Sequence, residues 1–243
     1  MTEKPVRIAM WSGPRNISTA MMRAWGQRGD TAVIDEPFYG FYLKQTGVAH
    51  PEAGEVMAAS ETDWRKVVAQ LAGPVPKNAR IFYQKQMTHH LLPEIARDWL
   101  RSVTNCFLIR NPAAVIASYA KKCDKFSIED LGFPQQLEIF NLVRRFQRDP
   151  PIVDADDVLR APELQLRKLC DAAGVRFDPA MLSWPPGRRD TDGIWAKHWY
   201  ADVERSTGFQ PYVGKEHMVP ERFSGMYERC REIYDELYPM RLQ

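Results

Sequence analysis

Short apolar runs alternate with amphipathic segments along most of this chain. Val6 to Trp11 (VRIAMW) is apolar and ends at a Ser-Gly-Pro break, which predicts a buried strand. Ile17, Ala20, Met21, Ala24 and Trp25 then recur at helical spacing, with Asn16 as the expected N-cap. Gly29 and Asp30 close that helix, and Thr31 to Ile34 form a second strand. Ala79 to Tyr83 predicts a third strand and Val103 to Ile109 a fourth. A helix is expected from about Pro93 to Arg101, and another from Asn111-Pro112, an N-cap followed by proline at the first helical position. Pro134 to Arg148 carries Leu137, Phe140, Val143 and Phe146 at helical spacing, and Pro151 to Val153 is a possible fifth strand. Leu166, Leu169, Cys170 and Ala173 mark a helix closed by Gly174, and Phe223 to Leu237 a long amphipathic helix at the end.

Strands alternating with helices imply βαβ units, a mainly parallel sheet and helices on both faces. The expectation is a three-layer α/β/α architecture over residues 1–243 as one domain. Two segments resist assignment. Residues 39–62 are broken by Gly47, Pro51 and Gly54, and residues 183–208 are rich in Pro, Gly, Arg and Trp. Long irregular stretches inside such a domain are often binding loops or lids.

Composition narrows the classes. Apolar residues make up 44% of the 243 and charged residues 26%, which excludes a disordered or low-complexity chain. A net charge of +2 argues against a general nucleic-acid binder, while leaving room for a local phosphate site. Cys106, Cys123, Cys170 and Cys230 form no CxxC or Cys/His cluster, so neither a metal site nor a disulfide framework is expected. The polar start, without a signal-peptide core, and the lack of any membrane-length apolar stretch predict a cytoplasmic protein with no membrane partner.

Three constellations carry candidate chemistry. The first is Ser12 to Thr19 (SGPRNIST), a strand-loop-helix turn. A helix N-terminus there offers unpaired N–H groups to an anion, Arg15 adds a fork of donors, and Ser18 and Thr19 add hydroxyls. A Walker loop would need Gly-Lys where Ser18 and Thr19 stand, which disfavours nucleoside triphosphate hydrolysis. The plainer reading is a turn made by Gly13-Pro14. The second is Phe107 to Lys122, where Arg110 ends a strand and Ser118 lies two turns into the next helix. The pair suits a second anion, or equally a loop-capping arginine and a helix-contact serine. The third is Lys85 to Pro93 (KQMTHHLLP), whose His89 and His90 point to different sides, so that at most one is expected to face a site. Lys85 is either a helper for leaving-group charge or a solvated strand end. Trp184, Trp195, Trp199 and Tyr200 could stack an adenine, line an acceptor pocket or simply pack a long loop.

In this order the three features resemble the sulfotransferase family, whose members bind 3′-phosphoadenosine 5′-phosphosulfate on a P-loop nucleoside triphosphate hydrolase-like fold. Pro14-Arg15-Asn16-Ile17-Ser18-Thr19 is similar to the family's first loop, and Arg110-Asn111-Pro112 with Val115 and Ser118 to its second motif. Asp154 to Pro179 resembles its acidic-leucine loop and following helix, Asp35-Glu36-Pro37-Phe38 an element of bacterial members, and Arg189 to Trp199 its late nucleotide-closing segment. The resemblance implies that Pro14, Arg15, Asn16, Ile17, Ser18 and Thr19 hold the 5′-phosphosulfate and that Arg110 and Ser118 hold the 3′-phosphate. It implies no metal, a small-molecule acceptor with a hydroxyl or amine, and no nucleic-acid partner. Arg15 would stabilise the leaving phosphate, and either Glu36 or His89 would take the acceptor proton. Asn16 and Ile17 stand where the family usually has Ser-Gly. That departure keeps a nucleotide-binding protein without catalysis as an alternative, beside a P-loop kinase or phosphotransferase.

Overall fold

The computed structural model describes residues 4–214 and 216–243. The first three residues of the polar start lie outside the described residues. Five strands, β1 (Val6–Ser12), β2 (Thr31–Asp35), β3 (Ile81–Met87), β4 (Thr104–Ile109) and β5 (Ile152–Asp154), form one sheet. All pairings are parallel and the order is β2-β3-β1-β4-β5. This is the expected three-layer, P-loop-like architecture. The helices are α1 (Ser18–Gly26), α2 (Tyr39–Thr46), α3 (Ala53–Ala59), α4 (Trp64–Ala72), α5 (Pro112–Tyr119) and α6 (Phe133–Val143). They continue with α7 (Ala155–Arg160), α8 (Pro162–Ala172), α9 (Ala196–Trp199), α10 (Ala201–Arg205) and α11 (Ser224–Leu237).

Successive side chains of a strand face opposite sides, and β1 shows how each is covered. Ile8 and Met10 pack with Met21, Met22 and Trp25 of α1 and Leu166 and Leu169 of α8. Ala9 and Trp11 face the other way, onto Val67 and Leu71 of α4 and Ile139, Phe140 and Val143 of α6. Burial on both faces explains why the strands read as continuous apolar runs.

Several expected boundaries move, each for a polar reason. β3 runs on to Met87 because Gln84, Lys85 and Gln86 are buried polar residues at the sheet centre, where an apolar-run reading stops too early. Gln84 Nε2 donates to Leu71 O, 2.9 Å. The expected Pro93–Arg101 helix is instead a set of turns ending in a 3₁₀ segment, Asp98–Ser102. The Arg97 guanidinium takes the carbonyls of Leu91, Leu92 and Ile95, which holds these turns together. α6 stops at Val143, five residues short of Arg148, and Gln147 pairs with both backbone groups of Asn105 on β4. Residues 39–62 contain α2 and α3, and Gly47 ends α2 in the left-handed region (φ 63°). Gly and Pro punctuate that segment between helices. Asn16 does not cap α1. Its Oδ1 accepts from Ile17 N–H (2.8 Å) and its Nδ2 donates to Leu108 O (3.0 Å), which pins the loop to β4.

Candidate active site

Parallel strands end together at one edge, and in such sheets ligands bind at that carboxyl edge. Here the register aligns Ser12 with Met87 and Leu108, and Asp35 with Lys85. The segments leaving these strand ends surround a cavity of about 450 Å³. One group of lining residues is the loop Pro14 to Thr19 with Arg110. A second, joined by ring contacts, is Tyr39, Tyr42, His50, His90, Trp195 and Trp199.

The two expected anion grips meet. Arg15 Nε donates to Ser118 Oγ at 3.0 Å, and Arg110 Nη1 donates to the Arg15 carbonyl at 2.5 Å. Arg15 takes a left-handed backbone (φ 55°), which turns the loop so that successive N–H groups can face an anion. Burial lowers Arg110 below the usual guanidinium range, Asp156 opposes this and Arg15 adds to it, yet the charge remains. Arg110 Nε is buried with no hydrogen-bond partner. A buried, unpartnered guanidinium N–H next to a second arginine and the start of α1 fits an anionic group. Ser118 serves through Arg15, and the cavity wall beside it is Tyr119. Gly13 has a separate steric duty: a Cβ there would lie 2.4 Å from Leu131 O, so the 127–132 turn seats directly on the loop. Ile17 packs against the α1-side core and its N–H is taken by Asn16, which accounts for both departures from the family loop on structural grounds.

The expected proton acceptors also line the cavity. Glu36 follows β2 in a left-handed conformation (φ 43°). Its Oε1 accepts from Lys85 Nζ at 2.5 Å, and its Oε2 lies 3.9 Å from His90 Nδ1. Burial raises the Glu36 carboxyl above its ordinary value, Lys85 pulls it back, and Asp35 raises it further. Burial also pulls His89 down to about 4 and His90 well below the usual imidazole range. Both histidines line the cavity, with ring centroids 4.3 Å apart, contrary to the expectation that they diverge. They sit in a 3₁₀ turn, Thr88–His90, so strand alternation does not govern them. Tyr39 stacks on His90 (4.7 Å, 6°) and Tyr42 meets His89 edge-on (5.4 Å, 90°).

Lys85 is not a solvated strand end. Its Nζ donates to Asp35 Oδ1 (2.8 Å), Glu36 Oε1 and Tyr200 OH (2.7 Å). Burial opposes its charge, but Asp35 and Glu36 outweigh burial and hold the ammonium well above its ordinary range. Of the four late aromatics, Trp195, Trp199 and Tyr200 line the cavity, whereas Trp184 is core, its Nε1 donating to Ser206 Oγ.

The segment carrying these aromatics is tied down at Asp192. Both Asp192 oxygens accept from Arg23 of α1 at 2.6 Å, and Gly193 N–H donates to Asp35 Oδ2 at 3.2 Å. Arg23, Asp192 and the carboxylate of Asp35 were not legible as site-builders. Charged residues in a sequence look the same whether solvated or paired, and only the later part of the chain supplies their partners. Among the described residues no group of three or more His, Cys, Asp or Glu is placed to hold a metal ion, and no helix is long and apolar enough to cross a membrane.

Comparison with known proteins extends this geometry. Two Arabidopsis thaliana proteins, branched-chain-amino-acid aminotransferase-like proteins 2 and 1, are each 34% identical to the chain, over 95% and 96% of it. The chain spans about two fifths of their length (41% and 42%). Among solved structures, a sulfotransferase from Alicyclobacillus acidocaldarius superposes with a TM-score of 0.58 at 12% identity, covering 100% of this chain and 98% of the other. A sulfotransferase domain from the curacin biosynthetic pathway gives 0.56 at 15%, covering 98% and 99%. The family described as sulfotransferase domain matches residues 6–223, from the first strand to the turn before α11, and the chain belongs to that family.

Proposed function

We propose that this domain transfers a sulfonate group from 3′-phosphoadenosine 5′-phosphosulfate to a hydroxyl or amine of a small-molecule acceptor. The observation that carries the reading is that Arg15, backed by Ser118, and Arg110, bonded to the Arg15 carbonyl, line the same cavity as Glu36. The bound donor supplies the sulfonate. Arg15, with the α1 N-terminus and the Ser18 and Thr19 hydroxyls, cradles its phosphosulfate end. Arg110, with Ser118 acting through Arg15, holds the second phosphate. Two anionic groups on one ligand account for two arginines in a cradle that a single phosphate would not need. No metal is assigned a role.

Glu36 is the proton acceptor in this reading. Its Oε1 is held by Lys85, and its Oε2 stays available toward His90 and the cavity. A carboxyl raised toward neutrality is a better base than an ordinary one, whereas His89, held at about 4, is a weaker base than a free imidazole. His89 with Tyr42 then forms a wall for the acceptor. The segments 39–62 and 183–208 supply the acceptor pocket. The aromatic walls favour an acceptor with an apolar or ring face.

Two measurements test this. Thermal stabilisation by 3′,5′-adenosine bisphosphate is expected, and stabilisation by Mg-ATP alone would point to a phosphotransferase instead. Sulfonation across an acceptor panel is expected to fall roughly 10²–10⁴-fold in Glu36→Gln, the range of a lost general base, and much less in His89→Ala. Equal activity of Glu36→Gln and the parent would remove Glu36 from this role.

A further inference from the structure

Lys85 lines the cavity, yet its hydrogens are all spent on protein acceptors. An ammonium has three donors, and the Lys85 Nζ has three acceptors: Asp35 Oδ1, Glu36 Oε1 and Tyr200 OH. The side chain is 2% exposed. Tyr200 is equally committed. Its hydroxyl has Asp35 Oδ2 (2.7 Å) and Glu36 Oε1 (3.5 Å) as acceptors and itself accepts from Lys85 and from Trp195 Nε1 (3.2 Å). The cluster holds one ammonium and two carboxyl groups. Glu36 is the member whose second oxygen is free of these bonds and turned toward the cavity.

We infer that Lys85 and Tyr200 are positioning residues that hold Glu36 ionised, with one carboxylate oxygen presented to the acceptor. This deepens the assignment of Glu36 as base and rests on it for its catalytic meaning. It makes β2, β3 and the late aromatic segment one device. β2 and the residue after it supply the two carboxylates, β3 the cation, and the segment after Asp192 the hydroxyl that closes the network. The groups facing Glu36 are Asp35 from its own strand, Lys85 from β3, His90 from the following turn, Tyr200 from the start of α10 and Tyr39 from α2. Of these only Lys85 is a cation, because burial keeps His90 neutral. Removing Lys85 leaves two adjacent buried carboxylates, which cannot both stay ionised.

The experiment is a carboxyl titration by ¹³C NMR on glutamate-labelled protein, with the Glu36 signal assigned by its loss in Glu36→Gln. In Lys85→Gln the Glu36 midpoint is expected to rise by one pH unit or more. In Tyr200→Phe, which keeps the ring, a smaller rise in the same direction is expected. Unchanged Glu36 midpoints in both variants overturn the proposal. If Lys85→Gln does not fold, Tyr200→Phe decides alone. The readout needs no turnover, so it stands apart from the sulfonation assay. In that assay the acid limb of the kcat/KM profile should move with the NMR midpoint. A uniform drop in kcat with an unmoved acid limb would show Lys85 serving the leaving group and would also overturn the proposal. Bisphosphate binding by the parent, measured in parallel, reports on the sulfotransferase reading itself.

Discussion

The Arg23–Asp192 pair offers the sharpest test of how the site is assembled. Both side chains are almost wholly buried, 2% and 0% exposed, and the guanidinium and carboxylate meet through two bonds of 2.6 Å. Asp192 also accepts from the Arg189 backbone N–H at 2.7 Å. Arg23 Nε has no partner, so the arginine has nothing in reserve if the carboxylate charge goes. Asp192→Asn keeps the shape and deletes that charge. Removing one partner of a buried pair costs about 3–5 kcal/mol, because the other charge is left uncompensated. At roughly 2–4 °C per kcal/mol for a domain of this size, that is a fall in Tm of about 6–20 °C. Urea unfolding should show it as a lower midpoint at unchanged slope. Asp202→Asn is the control. Its partner Arg205 lies at a similar distance, 2.6 Å, but the two side chains are 93% and 73% exposed. Such surface pairs contribute about 1 kcal/mol or less. The double variant Arg23→Met/Asp192→Leu should recover part of the loss, since well-packed apolar replacements of a buried pair are often neutral. An Asp192→Asn protein no less stable than Asp202→Asn would refute the reasoning.

Arg110→Met removes one arginine of the cradle and its bond to the Arg15 carbonyl, and calorimetry should show bisphosphate binding weakened roughly 10- to 100-fold, the range of a lost charged hydrogen bond. Gly132→Ala should destabilise the protein by about 2 kcal/mol or more, read by urea titration. Its φ is +74° and the new Cβ would lie 2.4 Å from Thr88 Oγ1, which donates to the Gly132 carbonyl. His89 has a folded value of about 4 against an ordinary 6.5. The unfolded chain therefore binds more protons between these values, and stability is lost as pH falls from about 6.5 toward 4. His89→Gln should flatten that limb of a stability–pH curve, and an unchanged limb would show that His89 does not titrate in this way.

Apolar periodicity was sufficient for the strands and the layering, because burial on both sheet faces demands continuous apolar runs such as Val6 to Trp11. The strand-loop-helix turn that carries Arg15 and Ser18 was legible for a similar reason. Strand, turn and helix start are local, and Arg15, Ser18 and Arg110 sit at fixed offsets from the strands that carry them. Polar burial was not legible. The run Gln84-Lys85-Gln86 looks like a solvated end until Leu71, Asp35 and Tyr200 are brought beside it. Arg97 read as part of a helix and instead ties a set of turns together through the carbonyls of Leu91, Leu92 and Ile95.

The sequence by itself determined a parallel sheet and which loops leave its carboxyl edge. Tertiary structure alone decided that Arg15 and Arg110 line one cavity with Ser118 bonded behind Arg15, that both histidines face that cavity, and that Lys85 is fully occupied by Asp35, Glu36 and Tyr200. The physical reason is range. Periodicity and loop chemistry act over a few residues, while a buried charge takes its meaning from partners up to 169 positions away, as Arg23 does from Asp192.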